Sequence, residues 1–266
     1  LQTRRENWQG RGKYKEPVTP DTTDLPNLPE GWVWTSLGAL ISNGPQNGLY
    51  LPQSKYGNGT PILRIDDYQT DWIRPRSKLR IVEAEESDLK KYSLETGNFV
   101  INRVNSVSHL GKTSLIRKEH EGVLFESNMM RLSVSSEVSK EYVLLYLTSE
   151  IGRKRLIRNC KHAVNQASIN QGDIESTPFP LPPTLEQEEI AQRFRVESSR
   201  EAATQVYCQS ELTRSAALRQ SILKDAFAGR LVPQDPNDEP AADLLTRLRA
   251  AREAEPKKPS RRKTRA

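Results

Sequence analysis

The feature that most limits the possible folds of this chain is a long segment without helix-breaking residues. Residues 184–228 contain neither Gly nor Pro, and they lie between Pro182-Pro183 and Gly229. Pro before and Gly after such a segment are the usual signals for the two ends of a helix. Thr184 and Gln187 have the spacing of a capping box, in which two side chains satisfy backbone N–H groups of the first turn. The sequence therefore predicts one helix over 184–228, about 65 Å long at about 1.5 Å per residue.

The heptad pattern of this helix does not describe a self-sufficient coiled coil. Its best seam is apolar at the two ends and polar at the centre. The seam positions are Ile190, Phe194, Glu197, Glu201, Thr204, Cys208, Glu211, Ser215, Leu218 and Ile222. We expect the helix to pack against a matching helix or a partner protein, and solvation on all sides is the alternative.

The region before the long helix has the pattern of a mostly β domain. Short apolar segments alternate with turn residues, among them WVWTSLGAL, PILRI, NFVINRV, TSLIR, GVLF and MMRLSV. The exception is residues 139–159, where apolar residues recur at helical spacing. These positions are Val143, Leu144, Leu147, Ile151 and Leu156. We predict one amphipathic helix over 139–159, packed within the domain.

Together these patterns predict an α+β fold: a mostly-β globular domain with a packed helix, one long coiled-coil-type helix and a short C-terminal helix. The predicted segments are a Pro-rich linker over 1–27, the globular domain over 28–183, the long helix over 184–228, a turn region with a short helix over 229–256, and a basic, disordered tail over 257–266.

Charge and composition exclude several classes of protein. The net charge is +6, but the tail KKPSRRKTRA alone carries six Lys or Arg, so the rest of the chain is neutral overall. Inside the domain, five cations lie within nine residues, and such a cluster either attracts phosphate or forms a solvated helix face. The cluster is Arg153, Lys154, Arg155, Arg158 and Lys161. No apolar run approaches the roughly 20 residues that cross a bilayer. Two Cys and three His build neither a disulfide framework nor a recognisable zinc site, so we expect a reducing, cytoplasmic location.

No catalytic, metal or cofactor site is apparent in the sequence. The Gly-rich loops of nucleotide-binding enzymes and the G-x-S-x-G elbow of serine hydrolases are missing. Cys160 lies next to Lys161 and His162, an arrangement that permits a thiol of lowered pKa, although a structural cysteine is the simpler interpretation.

Three polar segments instead have the composition of a recognition surface. Residues 44–56, 102–112 and 161–170 combine amide, hydroxyl and cationic side chains with aromatic neighbours. Asn and Gln pair bidentately with adenine, Arg and Lys pair with guanine, and Ser binds phosphate. Exposed loops of other proteins also contain these residues, so the composition alone is not diagnostic.

Specific strings add a resemblance to a known family. The segments LPEGWVWTSLGAL, PILRIDDY, GNFVINRVNSVSHLGKTSLI, NQASINQGDIESTPFPLPPTLEQEEI and LRQSILKDAFAGRLVPQDPNDEPAADLL resemble, in this order, the specificity subunit of Type I restriction-modification enzymes. The resemblance covers about residues 28–255. A full-length subunit of that family has two such halves in tandem, each a target recognition domain followed by a long helix, and the two helices pair antiparallel. This chain resembles one half, preceded by the linker that joins a first half to a second.

The resemblance implies a non-catalytic subunit that binds one half of a bipartite target in double-stranded DNA. It implies docking to methyltransferase subunits, an indirect association with the restriction subunit, and pairing of the long helix with a second recognition half or a second copy of the chain. Methyl transfer and cleavage would belong to the other subunits, and no cofactor is expected here. The alternatives are the recognition region of a fused Type IIG-like enzyme, whose cofactor loop and N-P-P-Y-like motif are missing here, and a functionally silent remnant.

The family's base-contacting residues vary, so the candidates come from loop position and side-chain chemistry. We expect DNA contacts from Asn47, Tyr50, Lys55, Arg103, Asn105, Lys112, Gln166 and Ser168, with Arg155, Arg158 and Lys161 directed at phosphates. The alternative is that about half of these residues stabilise turns, with Asn105 and Asn170 acting as capping residues.

Overall fold

The computed structural model describes residues 5–6, 16–70, 72–164 and 166–254. Residues 1–4 and 7–15 of the predicted linker 1–27 and the whole of the predicted tail 257–266 lie outside the described residues. The contacts divide the chain into a first unit, Leu1–Ser198, and a second unit, Ser199–Ala266.

The first unit contains fourteen short strands among its described residues. They are β1 (Val33–Ser36), β2 (Ile41–Asn47), β3 (Tyr56–Leu63), β4 (Tyr68–Gln69), β5 (Trp72–Ile73), β6 (Arg80–Val82), β7 (Phe99–Asn102), β8 (Val104–Asn105), β9 (Thr113–Leu115), β10 (Leu124–Phe125), β11 (Met129–Val134), β12 (Lys161–Ala163), β13 (Gln166–Ser168) and β14 (Pro178–Leu181). The helices of the first unit are α1 (Leu37–Leu40), α2 (Glu86–Tyr92), α3 (Lys140–Thr148), α4 (Glu150–Leu156), α5 (Gln171–Glu175) and the start of α6 (Thr184–Phe227). Helix α7 (Ala241–Ala254) belongs to the second unit.

The central sheet has the antiparallel order β2-β11-β7-β9. All four residues of β7 are buried, as expected for a strand in the middle of a sheet that is covered on both faces. Helix α3 packs in one core with the central sheet. On this helix the rings of Tyr142 and Tyr146 meet Phe179 of β14 edge-on, at centroid distances of 5.7 and 4.8 Å. The hydroxyls of the same two tyrosines donate to the carbonyls of Pro180 and Pro178. Because β14 pairs with β1, these contacts join the two ends of the domain.

The remaining strands form smaller sheets with the orders β10-β3-β6, β12-β13-β8, β4-β5 and β1-β14. The mostly-β, α+β class predicted from the apolar segments is therefore confirmed.

The single helix predicted over 139–159 is wrong, because the structure divides this segment into α3 and α4. Ser149 has extended backbone angles and caps both helices: its N–H bonds back to α3, and its Oγ accepts from the N–H of Gly152. A Cβ at Gly152 would lie 1.9 Å from the carbonyl oxygen of Tyr146, so the close approach at the break requires Gly. Helical spacing continues across the break, which is why periodicity alone did not reveal it.

Helix α6 confirms the predicted long helix, but the predicted capping box is not formed. Thr184 is already the first helical residue. Gln187 is 2% exposed, and its amide donates to the carbonyl of Pro182 and accepts from the N–H of Ser139, both at 2.9 Å. The side chain therefore joins the start of α6 to the domain instead of capping the helix.

The second unit contains the rest of α6, a turn region and α7. Ion pairs at 2.8 and 2.9 Å join Arg230 to Asp225 and Arg247 to Glu239. Apolar side chains remain exposed along both helices: Val206, Tyr207, Leu212, Leu218, Ile222, Leu244, Leu245 and Leu248. None of the helices among the described residues is long and apolar enough to cross a membrane.

Candidate nucleic-acid interface

The sheet β12-β13-β8 brings several sequence-predicted residues onto one face. In the β12–β13 hairpin, Lys161 lies opposite Ser168, His162 opposite Ala167, and Ala163 opposite Gln166. Directly opposite residues of an antiparallel pair share a face. Ala167 is 1% exposed and packs in the main core, so its face is turned towards the domain. The other face carries Lys161, Ala163, Gln166 and Ser168.

We call Lys161, Gln166 and Ser168 the reading face. Lys161 and Gln166 are exposed, and Ser168 is half-buried. Among the residues that the structure describes, none of these three side chains has a hydrogen-bond or ion-pair partner. The reading face thus offers an ammonium donor, an amide that donates and accepts, and a hydroxyl that does both. Sequence reasoning missed Val164, which is 91% exposed at the hairpin tip; the signal for it was a bulky apolar residue in a polar loop.

Arg103 immediately precedes β8 and Asn105 ends it, and both side chains form hydrogen bonds with backbone groups of the domain. The guanidinium of Arg103 donates to the carbonyl of Ser127 at 3.1 Å. The side-chain oxygen of Asn105 accepts from the N–H of Ser106 at 2.8 Å. This local bond fits the alternative in which Asn105 stabilises a turn and does not contact DNA. The loop that follows is fixed by Arg153, whose guanidinium donates to the carbonyls of residues 107, 108 and 110.

Lys112 also points into the domain. Its ammonium donates to the carbonyls of Ile65 and Tyr68 at 2.7 and 2.6 Å and lies 4.4 Å from the centre of the Tyr68 ring. Burial lowers the pKa of Lys112. These contacts stabilise the loop before β4, so the structure favours a structural role for Lys112 over a contact with DNA.

Asn47, Tyr50 and Lys55 belong to a different part of the domain. Asn47 ends β2, an edge strand of the central sheet, and Lys55 ends a short 3-10 helix. All three side chains are exposed, with Tyr50 at 77%. They form a second polar segment that is not part of the β12-β13-β8 sheet.

The three predicted phosphate contacts differ in their surroundings. Arg155 donates to the hydroxyl of Tyr146 at 3.1 Å and stacks 4.7 Å above the Trp34 ring. Arg158 faces Asp24 at 3.5 Å. Within the described part of the chain, Lys161 alone of the three is without such a partner. The sequence could not reveal this, because Trp34 and Asp24 are more than 100 positions away from the cluster.

Two further sequence interpretations concern single residues. Asn170 is the N-cap of α5 in a complete capping box with Asp173, with bonds of 3.1 and 2.8 Å, as the capping alternative proposed. Cys160 packs against the main core, with its sulfur 3.6 Å from Nε2 of His162. In the described part of the chain no group of His, Cys, Asp and Glu side chains could hold a metal ion.

Comparison with known proteins adds independent information. The family described as Type I restriction modification DNA specificity domain matches residues 29–197. The EcoKI specificity subunit of Escherichia coli K12 is 30% identical over 230 residues, which are 82% of this chain and 49% of that protein. The StySPI specificity subunit of Salmonella potsdam is 33% identical over 232 residues, 84% of this chain and 50% of that protein. The chain thus spans about half the length of the curated relatives it matches.

Solved structures show the same fold at lower identity. A chain from a study of complex assembly and conformational transition of the type I R-M system has a TM-score of 0.59 and 23% identity, covering 79% of this chain and 49% of that one. The HsdS subunit from Thermoanaerobacter tengcongensis has a TM-score of 0.53 and 17% identity, covering 83% and 54%.

Proposed function

Because this chain belongs to the Type I restriction-modification DNA specificity family, we propose that it reads one half of a bipartite sequence in double-stranded DNA and catalyses no reaction itself. The observation that carries the proposal is the reading face, a solvent-facing set of unpartnered polar groups on a β-hairpin. Two-stranded ribbons of this kind fit the major groove of B-form DNA, which is about 12 Å wide and about 8.5 Å deep.

The dimensions of the hairpin assign a role to each of its residues. Lys161 and Val164 are three residues apart, or about 10 Å along a strand at about 3.3 Å per residue. A hairpin that enters the groove tip first therefore brings Gln166 and Val164 to the base edges, while Lys161 lies near the phosphates. Gln166 is suited to the N6 and N7 atoms of adenine, and Val164 to the methyl group of thymine. Ser168 is suited to a phosphate or to a base edge near the rim.

The other sequence candidates then divide into two groups. We propose that Asn47, Tyr50 and Lys55, which are exposed, contact DNA outside the hairpin. Arg103, Asn105 and Lys112 support the loops around β8 through the internal bonds described above, and they act as positioning residues.

We propose that the second unit and α6 serve assembly. Their exposed apolar side chains need a covering partner, since large unpaired apolar surfaces mark interaction sites. The partners we propose are methyltransferase subunits and a second recognition half or a second copy of the chain, with the restriction subunit associating indirectly. The whole assembly would supply methyl transfer, and it would act in the cytoplasm.

The test is selection of bound duplexes from a randomised pool by the chain together with a Type I methyltransferase subunit. The wild type should enrich one short motif. Gln166→Ala should lower the free-energy preference for the correct base at one position of that motif by about 1–3 kcal/mol, the value of one bidentate base contact. Gln69→Ala, at an exposed position of β4, is the matched control and should enrich the unchanged motif. Recovery of no motif, as expected for a silent remnant, would refute the function, and an unchanged motif for Gln166→Ala would refute the role of the reading face.

A further inference from the structure

Residues 16–26, which precede the domain, lie against its surface at the end of α4. The indole N–H of Trp34 donates to the carbonyl of Pro26 at 3.1 Å, and the carboxylate of Asp24 lies 3.5 Å from the guanidinium of Arg158. A cavity of about 510 Å³ separates the segment from the domain, and Asp21, Asp24, Arg155 and Arg158 all line it. We call residues 16–26 the strap.

The strap places negative charge on a basic surface. Asp21 accepts from both the hydroxyl and the N–H of Thr23, at 2.6 and 3.0 Å. These bonds, with a smaller contribution from the charge of Arg158, lower the pKa of Asp21 and keep its carboxylate ionised. Asp173 is the third carboxylate at the cavity, but it is already bound to the N–H of Asn170. Among the described residues, Asp24 is therefore the carboxylate of the strap that faces Arg158 without a hydrogen bond elsewhere.

The ion pair between Asp24 of the strap and Arg158 is weak enough for another anion to replace Asp24. The side chains of Arg158 and Asp24 are 59% and 75% exposed, and ion pairs so exposed contribute little because water and salt compete for both charges. A DNA phosphate can compete with this contact, since two of its oxygens can accept from the planar guanidinium together, whereas the ion pair with Asp24 is a single contact of 3.5 Å.

Arg158 also lies beside the proposed DNA contact. It precedes Lys161 by three residues, and Lys161 begins β12 at the base of the hairpin, where the proposed function places the phosphate backbone. A duplex held by the reading face would therefore bring phosphates to the surface that Asp24 now occupies.

We propose that the surface around Arg158 is a phosphate-backbone site of duplex DNA that the strap occupies in the free protein, so that the duplex displaces the strap when it binds. This proposal rests on the proposed function. Asp24 is then a competitor of DNA, and the strap is released from the domain when the duplex binds.

The first test is a double-mutant cycle on duplex affinity. A duplex of mixed sequence suffices, because phosphate contacts are independent of sequence. Asp24→Asn should tighten binding by about two- to fivefold, the range for loss of one exposed competing pair. The same change in an Arg158→Gln background should have no effect. Arg158→Gln alone should weaken binding and reduce the slope of log K against log salt by about 0.9, one phosphate contact.

The matched control is Asp88→Asn, which removes the same charge from a partly exposed site on α2. Equal effects of Asp24→Asn and Asp88→Asn, or an undiminished effect of Asp24→Asn in the Arg158→Gln background, would overturn the proposal, because they would indicate only a general change of charge.

The second test is hydrogen exchange of the strap amides in the full chain. Exchange of residues 16–26 should become faster when the protein is saturated with duplex, and it should already be faster in free Asp24→Asn. A duplex that binds while the strap stays equally or better protected would refute displacement and leave the proposed function intact. Absence of duplex binding would refute both.

Discussion

Replacing Gln187 by Ala should destabilise the first unit by about 2–4 kcal/mol. The amide of Gln187 is the partner of the Pro182 carbonyl and of the Ser139 N–H, and both groups lose that partner in the variant. A buried polar group without a hydrogen bond costs about 1–3 kcal/mol. Two such groups set the lower limit of about 2 kcal/mol, and water that enters the space left by the side chain keeps the loss below about 4 kcal/mol. The change also removes the link between the first turn of α6 and the start of α3. Helix propensity does not explain the loss, because Ala favours a helix more than Gln does.

Urea unfolding followed by tryptophan fluorescence measures this loss. Gln192→Ala is the control, since it makes the same change at an exposed position five residues along α6 and should shift the free energy of unfolding by less than about 0.5 kcal/mol. Gln187→Glu should cost at least as much as Gln187→Ala at neutral pH, because it buries an unpaired charge and directs a carboxylate oxygen at the carbonyl of Pro182. A loss for Gln187→Ala no larger than that for Gln192→Ala would refute the bridging role of the amide.

Three further outcomes follow from single contacts. Gly48→Ala should cost about 2 kcal/mol or more in thermal unfolding, because the new Cβ would lie 2.1 Å from the backbone oxygen of Glu126, which cannot move cheaply; a stability equal to that of the wild type would contradict this. Lys112→Met should lower the urea midpoint, because a hydrogen bond from a charged donor typically contributes about 1.5–3 kcal/mol. The same change should leave the salt dependence of duplex binding unchanged. A decrease of about 0.9 in the slope of log K against log salt would instead indicate that Lys112 contacts a phosphate. The bidentate bond from Arg117 lowers the pKa of Glu141, so this carboxylate stabilises the fold above its usual value near 4.5 and the benefit is lost as the pH falls through the lowered pKa. The stability difference between wild type and Glu141→Gln, about 1 kcal/mol or less at pH 7, should therefore vanish in acid, and a difference that grows in acid would reverse the assignment.

The sequence predicted those parts of the fold that depend on local order. Helix α6 was evident because an absence of Gly and Pro between two end signals has one simple structural meaning. Strands β7, β9 and β11 of the central sheet lie within the predicted apolar segments for the same reason. Strand β2 lies outside them, and its second half belongs to the polar segment 44–56. The capping role of Asn170 was also recognisable, since the side chain and the helix it caps are neighbours in the chain.

The parts that the sequence did not predict depend on residues distant in the chain. Periodicity continued across Ser149, and the break became visible only with the close approach of Gly152 to α3. Gln187 had the spacing of a capping residue, but the N–H of Ser139, 48 positions earlier, is its partner. Lys112 was predicted to contact DNA from its loop position, and no local pattern indicated that its ammonium donates to the carbonyls of Ile65 and Tyr68, more than 40 positions earlier.

The candidate site shows the same division. Lys161, Gln166 and Ser168 are close in sequence, and a short hairpin brings them to one face. Nothing local relates Asn47, Tyr50 and Lys55 to that hairpin, and loop position alone did not distinguish exposed side chains from those turned inwards.

The most direct test of the reading face is a structure of the chain with a methyltransferase subunit on the duplex that selection identifies. The measurement is the distance from the side-chain amide of Gln166 to the nearest base edge. We expect about 3 Å, a hydrogen bond in the major groove. A bound duplex that leaves the β12–β13 hairpin in solvent, or covered by another subunit, would contradict the account.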